Sequence, residues 1–279
     1  MICSKRISTW WTDVSAIQLF NAKKVFIGVV HLPPLPGSPQ WGGDMDWVLN
    51  RAQEEALTLA QGGANGIIVE NFGDTPFRIG RVEPDTVAAM SLAVDRVKQV
   101  TTLPVGVNML RNDARSALAV ASVAGAAFIR VNVHYGVMAA EEGMVQGEAY
   151  DTLRYRAALG ADVKILADVF VKHAVPVGLQ DLALMAQETV YRGMADGLIV
   201  SGPVTGQPAD AEDVATVRNT VPDGFILVGS GVDESNAGRL LAQADGAIVG
   251  TSLKRDGIVS NPIDPERVKR LAEIIHEMS

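Results

Sequence analysis

Eight short apolar runs, each followed by a segment of helical periodicity, constrain the fold of this chain more than any other feature. The runs lie at 25–32, 66–71, 104–110, 127–133, 163–169, 197–202, 225–229 and 246–250. Helices are expected over 46–61, 83–100, 113–123, 150–159, 179–192, 210–220, a stretch ending at 242, and 264–277, the last with Pro265 at its first turn. Near-continuous Val, Ile and Leu without polar alternation marks strands covered on both faces, and helical connections make such strands parallel. Eight units predict a closed (β/α)8 TIM barrel. An open doubly wound sheet would carry its phosphate loop after the first strand. This chain has HLPPLPGSPQWGG there, at 31–43, with no G-x-G-x-x-G. The whole chain, 1–279, therefore reads as one domain, a barrel over 25–279 behind an N-terminal extension, 1–24. Within that extension 13–21, capped by Asp13, reads as a short helix packing beneath the barrel floor.

The last two strand runs break into small residues, Gly229, Ser230 and Gly231 after the seventh and Gly250, Thr251 and Ser252 after the eighth. In eight-stranded α/β barrels the loops at these positions frequently form a phosphate site. Glycine there lets backbone approach a ligand closely. A helix after the first turn, capped by Asp233 or Ser235, would aim free amides and its positive dipole end at the anion. Lys254 would add a point charge. The expected ligand is a small phosphorylated molecule.

Strand residues alternate between the helices and the barrel axis, so parity identifies the inward set. Ile129, Val131 and Val133 form the helix-facing series of the fourth strand, which places Arg130, Asn132 and His134 inward and climbing to the mouth. The same reasoning turns Lys164, Leu166 and Asp168 inward on the fifth strand, Glu70 on the second and Asn108 on the third, with His31 ending the first. Buried polar groups at these positions incur desolvation that apolar residues would avoid, so Arg130 is expected to pair with Glu70 or Asp168. Asp168 and Glu70 are the candidate acid and base, because two carboxylates in different surroundings hold protons differently. Lys172 and His173, just beyond the fifth strand, offer a cation and a proton-transfer group. Arg130 completes the catalytic set, and His31, Asn108, Asn132 and Ser201 are the candidate substrate-binding residues. Lys164 starts its strand and is expected in a floor ion pair.

The balance of 24 Lys and Arg against 32 Asp and Glu, a net charge of −8, repels polyanions and argues against nucleic acid as a partner. The single Cys3 excludes an internal disulfide and fits a cytoplasmic setting. No signal-peptide core and no membrane-length apolar run occurs. No H-x-H, H-E-x-x-H or G-x-x-x-x-G-K-[ST] is present, so the sequence requires no cofactor. A divalent metal on His31, Glu70 and Asp168 is compatible with the residue types, without any spacing signal. A homo-oligomer is equally compatible. The loop after the first strand and the insertion at 134–149 are long enough to serve as lids, with Glu141 and Glu142 expected on the solvated surface.

Seven blocks carry a resemblance: GVVHLPPLPGSP at 28–39, GIIVENFGDTPF at 66–77, FIRVNV at 128–133, ADVFVKHA at 167–174, GLIVSGPVTG at 197–206, VGSGVDESNA at 228–237 and GAIVGTSLKRDG at 246–257. In this order they resemble the BtpA family, which also contains SgcQ-type proteins and is similar to the ribulose-phosphate-binding barrels. The resemblance implies two different functions. Cyanobacterial members are linked to photosystem I biogenesis and stability, and SgcQ-type members to sugar metabolism. It transfers no catalytic residue. The residues themselves favour an enzyme, an isomerase, lyase or glycosidic-bond enzyme acting on a sugar phosphate or nucleotide-like substrate. The alternative is a non-enzymatic photosystem I biogenesis factor.

Overall fold

The computed structural model describes residues 16–278 apart from 179 and 203, so Cys3 and the Asp13 cap lie outside the described residues. In chain order the strands are β1 (Val25–His31), β2 (Gly66–Glu70), β3 (Val105–Asn108), β4 (Phe128–Val131), β5 (Val137–Ala140), β6 (Gly143–Gln146), β7 (Lys164–Val169), β8 (Ala174–Pro176), β9 (Gly197–Ser201), β10 (Ile226–Gly229) and β11 (Gly246–Val249). The helices are α1 (Met45–Gln61), α2 (Pro84–Lys98), α3 (Ala114–Ala124), α4 (Ala149–Ala158), α5 (Leu182–Tyr191), α6 (Ala211–Thr220), α7 (Ala237–Leu240) and α8 (Pro265–Glu277). Eight strands close into a parallel barrel in the order β1-β11-β10-β9-β7-β4-β3-β2. The eightfold alternation therefore does produce a TIM barrel.

Helix starts follow the sequence chemistry. Asp44, Asp113, Asp181, Asp210 and Asp264 each accept a backbone N–H at the start of α1, α3, α5, α6 and α8, which satisfies amides that have no partner inside the helix. The stripe Val268, Leu271, Ala272 and Ile275 then buries α8. Helix-facing strand residues such as Ile67, Val105, Ile129 and Ile165 join the same shell. The barrel floor is a separate apolar layer of Phe20, Val25, Ile27, Phe128, Leu166, Phe225 and Leu227. Of the stretch expected as a helix at 13–21, the described residues Ala16–Phe20 form a 3-10 turn. It seats Phe20 with its ring 5.5 Å from Phe128 and 5.9 Å from Phe225.

The insertion at 134–149 has regular structure. It folds as the hairpin β5–β6, to which β8 adds as a third antiparallel strand. Met138 and Val145 stand directly opposite each other, and with Val133 and Val171 they form a small core of their own. Gly143, at φ 123°, makes the reversal that other residues rarely adopt. Arg111 and Asn112 fasten this sheet down. Arg111 Nη2 donates to the Lys172 carbonyl at 2.8 Å, and Asn112 Nδ2 donates to Val133 O at 3.0 Å and Gln146 O at 3.3 Å. Glu142 lies 3.4 Å from Arg111 with its side chain 10% exposed, so it belongs to this buried staple and not to the solvated surface.

Candidate active site

Strand register assembles the polar layer. His31 is the partner of Glu70, Glu70 of Asn108, and Asn108 of Arg130, across four neighbouring strands. Asp168 lies one inward step higher on β7, since Arg130 pairs with Leu166. Arg130 does not choose between the carboxylates. Its Nε and Nη2 donate to Asp168 Oδ2 and Oδ1, each at 2.9 Å, and its Nη1 reaches Glu70 Oε1 at 3.4 Å. Burial opposes the guanidinium charge, but Asp168 and then Glu70 outweigh it and hold the group protonated.

The two candidate carboxylates fare differently. Asp168 also accepts from Asn132 Nδ2 at 3.0 Å and Ser201 Oγ at 2.9 Å, and its side chain is fully buried. With both oxygens occupied and no edge on the cavity, Asp168 orients Arg130, Asn132 and Ser201. It is not placed to exchange a proton with a ligand, which corrects the sequence expectation. Ser201 likewise serves Asp168. Glu70 receives Asn108 Nδ2 at 3.0 Å on Oε1. Its Oε2 makes no hydrogen bond among the described residues and lies 3.9 Å from His31 Nε2, and Glu70 lines the cavities that meet here.

Two cavities that share Glu70, Arg130, Lys172 and Thr205 sit at the C-terminal mouth as adjoining lobes. One, about 170 Å³, is lined by Ser230, Gly231 and the Gly250–Ser252 turn together with His31, Glu70, Arg130 and Lys172. The second, about 180 Å³, continues past Glu70, Arg130 and Lys172 to Phe72, Phe77, Asn108, Arg111 and Asn132. Thr205 also lines both. Thr205, Arg111, Phe72 and Phe77 were not legible as site residues. Arg111 alone carries a signal, a cation three residues beyond the inward Asn108.

Lys172 stands where the lobes meet, half-buried, and its amine makes no hydrogen bond among the described residues. Burial, then Arg130, pushes that amine down from its ordinary value, with Glu70 and Asp168 partly opposing. His31 is held well below the usual imidazole range by burial and then by Lys254, Lys172 and Arg130. His173 sits at the rim. Its Nε2 accepts the Thr205 N–H at 3.0 Å, which leaves the ring proton on Nδ1, 3.8 Å from Glu141 Oε1. His134 is not in the site. The chain leaves strand geometry after Val131, and the ring turns outward to the Gly193 carbonyl, 2.7 Å from Nε2. Lys164, as expected, pairs at the strand start, with Asp162 at 2.8 Å.

The tandem turns are placed together, but three details differ from expectation. Lys254 points away from them. Its amine is fully buried beside α1, within 2.7 Å of both Glu55 oxygens. The expected helix N-terminus is absent as a ligand site, because α7 is one turn long and Asp233 Oδ1 takes the Ser235 and Asn236 amides itself, at 2.8 and 3.2 Å. The glycines make room for protein more than for ligand. A Cβ on Gly229 would overlap Ile199, one on Gly250 would meet the His31 ring, and one on Gly231, at φ 65°, would overlap the Gln207–Pro208 backbone. What remains for an anion is backbone. The amides of Gly231, Thr251 and Ser252 donate to no protein acceptor among the described residues.

No three His, Cys, Asp or Glu side chains converge as a metal site among the described residues. His31, Glu70 and Asp168 fail as a set because Arg130 stands between the two carboxylates. Nor is any helix among the described residues long and apolar enough to cross a membrane.

The sequence profile of the BtpA family matches residues 22–277. The chain is 51% identical to the photosystem I biogenesis protein BtpA of Synechocystis sp. over 93% of this chain and 91% of that protein. To the sgc region protein SgcQ of Escherichia coli it is 31% identical, over 94% of this chain and 97% of that one. Among solved structures it is similar to thiamine phosphate pyrophosphorylase from Pyrococcus furiosus, with a TM-score of 0.56 at 15% identity, covering 93% of this chain and 98% of that one. At that identity the likeness carries the barrel fold and nothing finer. The family profile spans the whole of the described barrel, and on that match the chain belongs to the BtpA family.

Proposed function

We propose that this protein is an enzyme acting on a small phosphorylated substrate, a sugar phosphate or a nucleotide-like molecule, by acid–base chemistry at the C-terminal face of the barrel. One observation carries the reading. A single cavity is lined both by the Ser230–Gly231 and Gly250–Ser252 turns and by Glu70, Arg130 and Lys172. Unpaired amides on those turns are hydrogen-bond donors suited to phosphate oxygens. Glu70, with one oxygen uncommitted, is the proton-transfer group. Lys172 and Arg130 supply positive charge where a substrate oxygen would become anionic. Asp168 acts through Arg130.

A thermal-shift screen against phosphate esters, with uncharged sugars as controls, tests this. A ligand at about 100 times its dissociation constant adds roughly 2.7 kcal/mol to stability. Thr251→Asp places a negative charge on the phosphate wall. It is preferable to any change at Gly231, where an added side chain would strike backbone. Stabilisation by a phosphate ester, lost in Thr251→Asp, is the expected result.

The likeness to a photosystem I biogenesis protein favours a second reading, an assembly factor that uses the barrel as a scaffold. On that reading no phosphate ester shifts the melting temperature, and Thr251→Asp leaves function intact.

A further inference from the structure

Lysines drawn into this barrel show what a structural amine looks like. Lys24 Nζ donates to the Leu241 and Ala244 carbonyls at 2.8 and 2.6 Å. Lys164 pairs with Asp162, and the fully buried Lys254 holds both Glu55 oxygens at 2.7 Å. An amine taken out of water needs such partners. Lys172 is different. Its carbonyl accepts from Arg111, but its Nζ makes no hydrogen bond or ion pair among the described residues. Glu70 and Asp168 are close enough to act on its charge, yet their oxygens are taken by others. Asn108 and Arg130 occupy Glu70 Oε1, and Arg130, Asn132 and Ser201 occupy both oxygens of Asp168. Nor is this amine sealed off in the way that Arg111 Nε is. Lys172 is partly exposed and lines both lobes of the mouth cavity.

The backbone around it is held firmly. Arg111 Nη2 donates to the Lys172 carbonyl at 2.8 Å, and His173 Nε2 accepts the Thr205 N–H at 3.0 Å. Phe170 and His173 adopt φ 57° and 58°, a left-handed conformation that is costly for residues with a side chain. Strain on both sides of Val171–Lys172 presents a free amine where the lobes meet. Burial, then Arg130, lowers the proton affinity of that amine, which favours the neutral, nucleophilic form. Glu70, with Oε2 unbonded among the described residues, lines the same two lobes.

We infer that Lys172 is a covalent catalytic residue, whose amine condenses with the carbonyl carbon of a phosphorylated aldehyde or ketone to form an imine. This rests on the acid–base reading of the same cavity and narrows it to one class of reaction. Neutral Nζ adds to the carbonyl carbon, and a proton moves from nitrogen to the carbonyl oxygen, giving a carbinolamine. A second proton, delivered by Glu70, lets that hydroxyl leave as water, and a C=N iminium remains. The iminium draws in the electron pair of a neighbouring C–H or C–C bond. Glu70 takes the proton released, from that carbon or from the β-hydroxyl. Hydrolysis reverses the condensation and restores the amine.

Borohydride trapping on the full chain, with peptide mapping by mass spectrometry, tests this. The probes are dihydroxyacetone phosphate, glyceraldehyde 3-phosphate, ribulose 5-phosphate and any further carbonyl-bearing phosphate ester that stabilises the protein. Glycerol 3-phosphate lacks the carbonyl and dihydroxyacetone lacks the phosphate. A carbonyl phosphate should label Lys172 about tenfold or more above the exposed Lys23 and Lys269, and glycerol 3-phosphate should label nothing. Lys172→Arg keeps the charge, so it should still bind the ester but trap none of it. Even labelling of surface lysines would overturn the inference and leave the phosphate site standing. So would the absence of a Lys172 adduct from a stabilising carbonyl phosphate, or stabilisation only by esters without a carbonyl. Labelling of Lys172 by dihydroxyacetone as strong as by its phosphate would keep the nucleophile and remove the phosphate reading. No stabilisation and no adduct with any probe would overturn both.

Discussion

Two clusters of buried charge in this barrel are built from similar parts. At the mouth Arg130 joins Asp168 to Glu70. On the flank Lys254 meets Glu55, with Arg51 3.3 Å from the same carboxylate. Burial pushes the Glu55 carboxyl up and the Lys254 amine down, and each partner opposes the other's shift. The difference lies in what is left over. The flank lacks an acceptor only at Arg51 Nε among the described residues, whereas the mouth leaves His31 Nδ1, Asn108 Oδ1, Asn132 Oδ1 and Arg111 Nε unmet. A groove of about 510 Å³ beside Trp47, Arg51 and Arg255 is larger than either mouth lobe, but Glu55, Lys254 and Arg51 there are already engaged with one another. Burial of charge alone does not mark a site, since ion pairs inside a protein are often replaceable. A cavity edged by charged groups with capacity to spare, here Glu70 and Lys172, does.

This contrast is exposed to test. Removing one partner from either cluster should be equally damaging, because it strands a buried charge. Asp168→Ala and Glu55→Ala should each cost about 3–5 kcal/mol by urea denaturation, and a much smaller loss in either would mean its charges are solvated. Glu70→Gln separates stability from chemistry. It keeps an acceptor for Asn108, so stability should change by about 1 kcal/mol or less, while turnover falls about 100-fold or more. Unchanged turnover would remove Glu70 from the acid–base role. Double replacements sharpen the comparison further. Glu55→Leu with Lys254→Met should leave stability unchanged or raised, by up to about 4 kcal/mol, with ligand binding intact. Arg130→Met with Asp168→Leu should also fold but lose binding. Retained binding in both doubles would erase the distinction between the clusters.

The smallest effect is a pH dependence. His31 is held neutral in the fold well below its ordinary value, chiefly by burial. Below about pH 6.5 the unfolded chain takes a proton that the folded chain refuses. The stability contributed by neutral His31 is therefore present above that pH and lost as pH falls, by at most about 1.4 kcal/mol per pH unit. Burial lowers His134 and His173 in the same direction. His31→Gln should flatten the slope in part, and an unchanged slope would place its proton uptake elsewhere.

Much of this was legible from residue pattern. Strand parity placed Glu70, Asn108, Arg130 and Asn132 inside because parallel strands buried on both faces leave each side chain only two directions. Parity failed at His134, two residues after β4 loses its regular geometry. Lys254 was misread because its proximity to Gly250 in sequence says nothing about direction. The chain makes two successive 3-10 turns, Thr251–Leu253 and Arg255–Gly257, and between them Lys254 turns into α1. The cap sheet was hidden because β5, β6 and β8 are at most four residues long and their pairing is not local. The tandem glycines were recognised for a reason that only partly holds, since Gly229, Gly231 and Gly250 are held mainly by protein contacts that no one-dimensional pattern records.

The most direct test of the central claim is a crystal structure grown with a phosphorylated sugar that stabilises the protein. The account predicts its phosphate between Ser230–Gly231 and Thr251–Ser252, with the remainder of the molecule running past Glu70 towards Asn108 and Asn132. A phosphate seated in the flank groove by Arg51 and Arg255, with the mouth cavity holding only solvent, would contradict it.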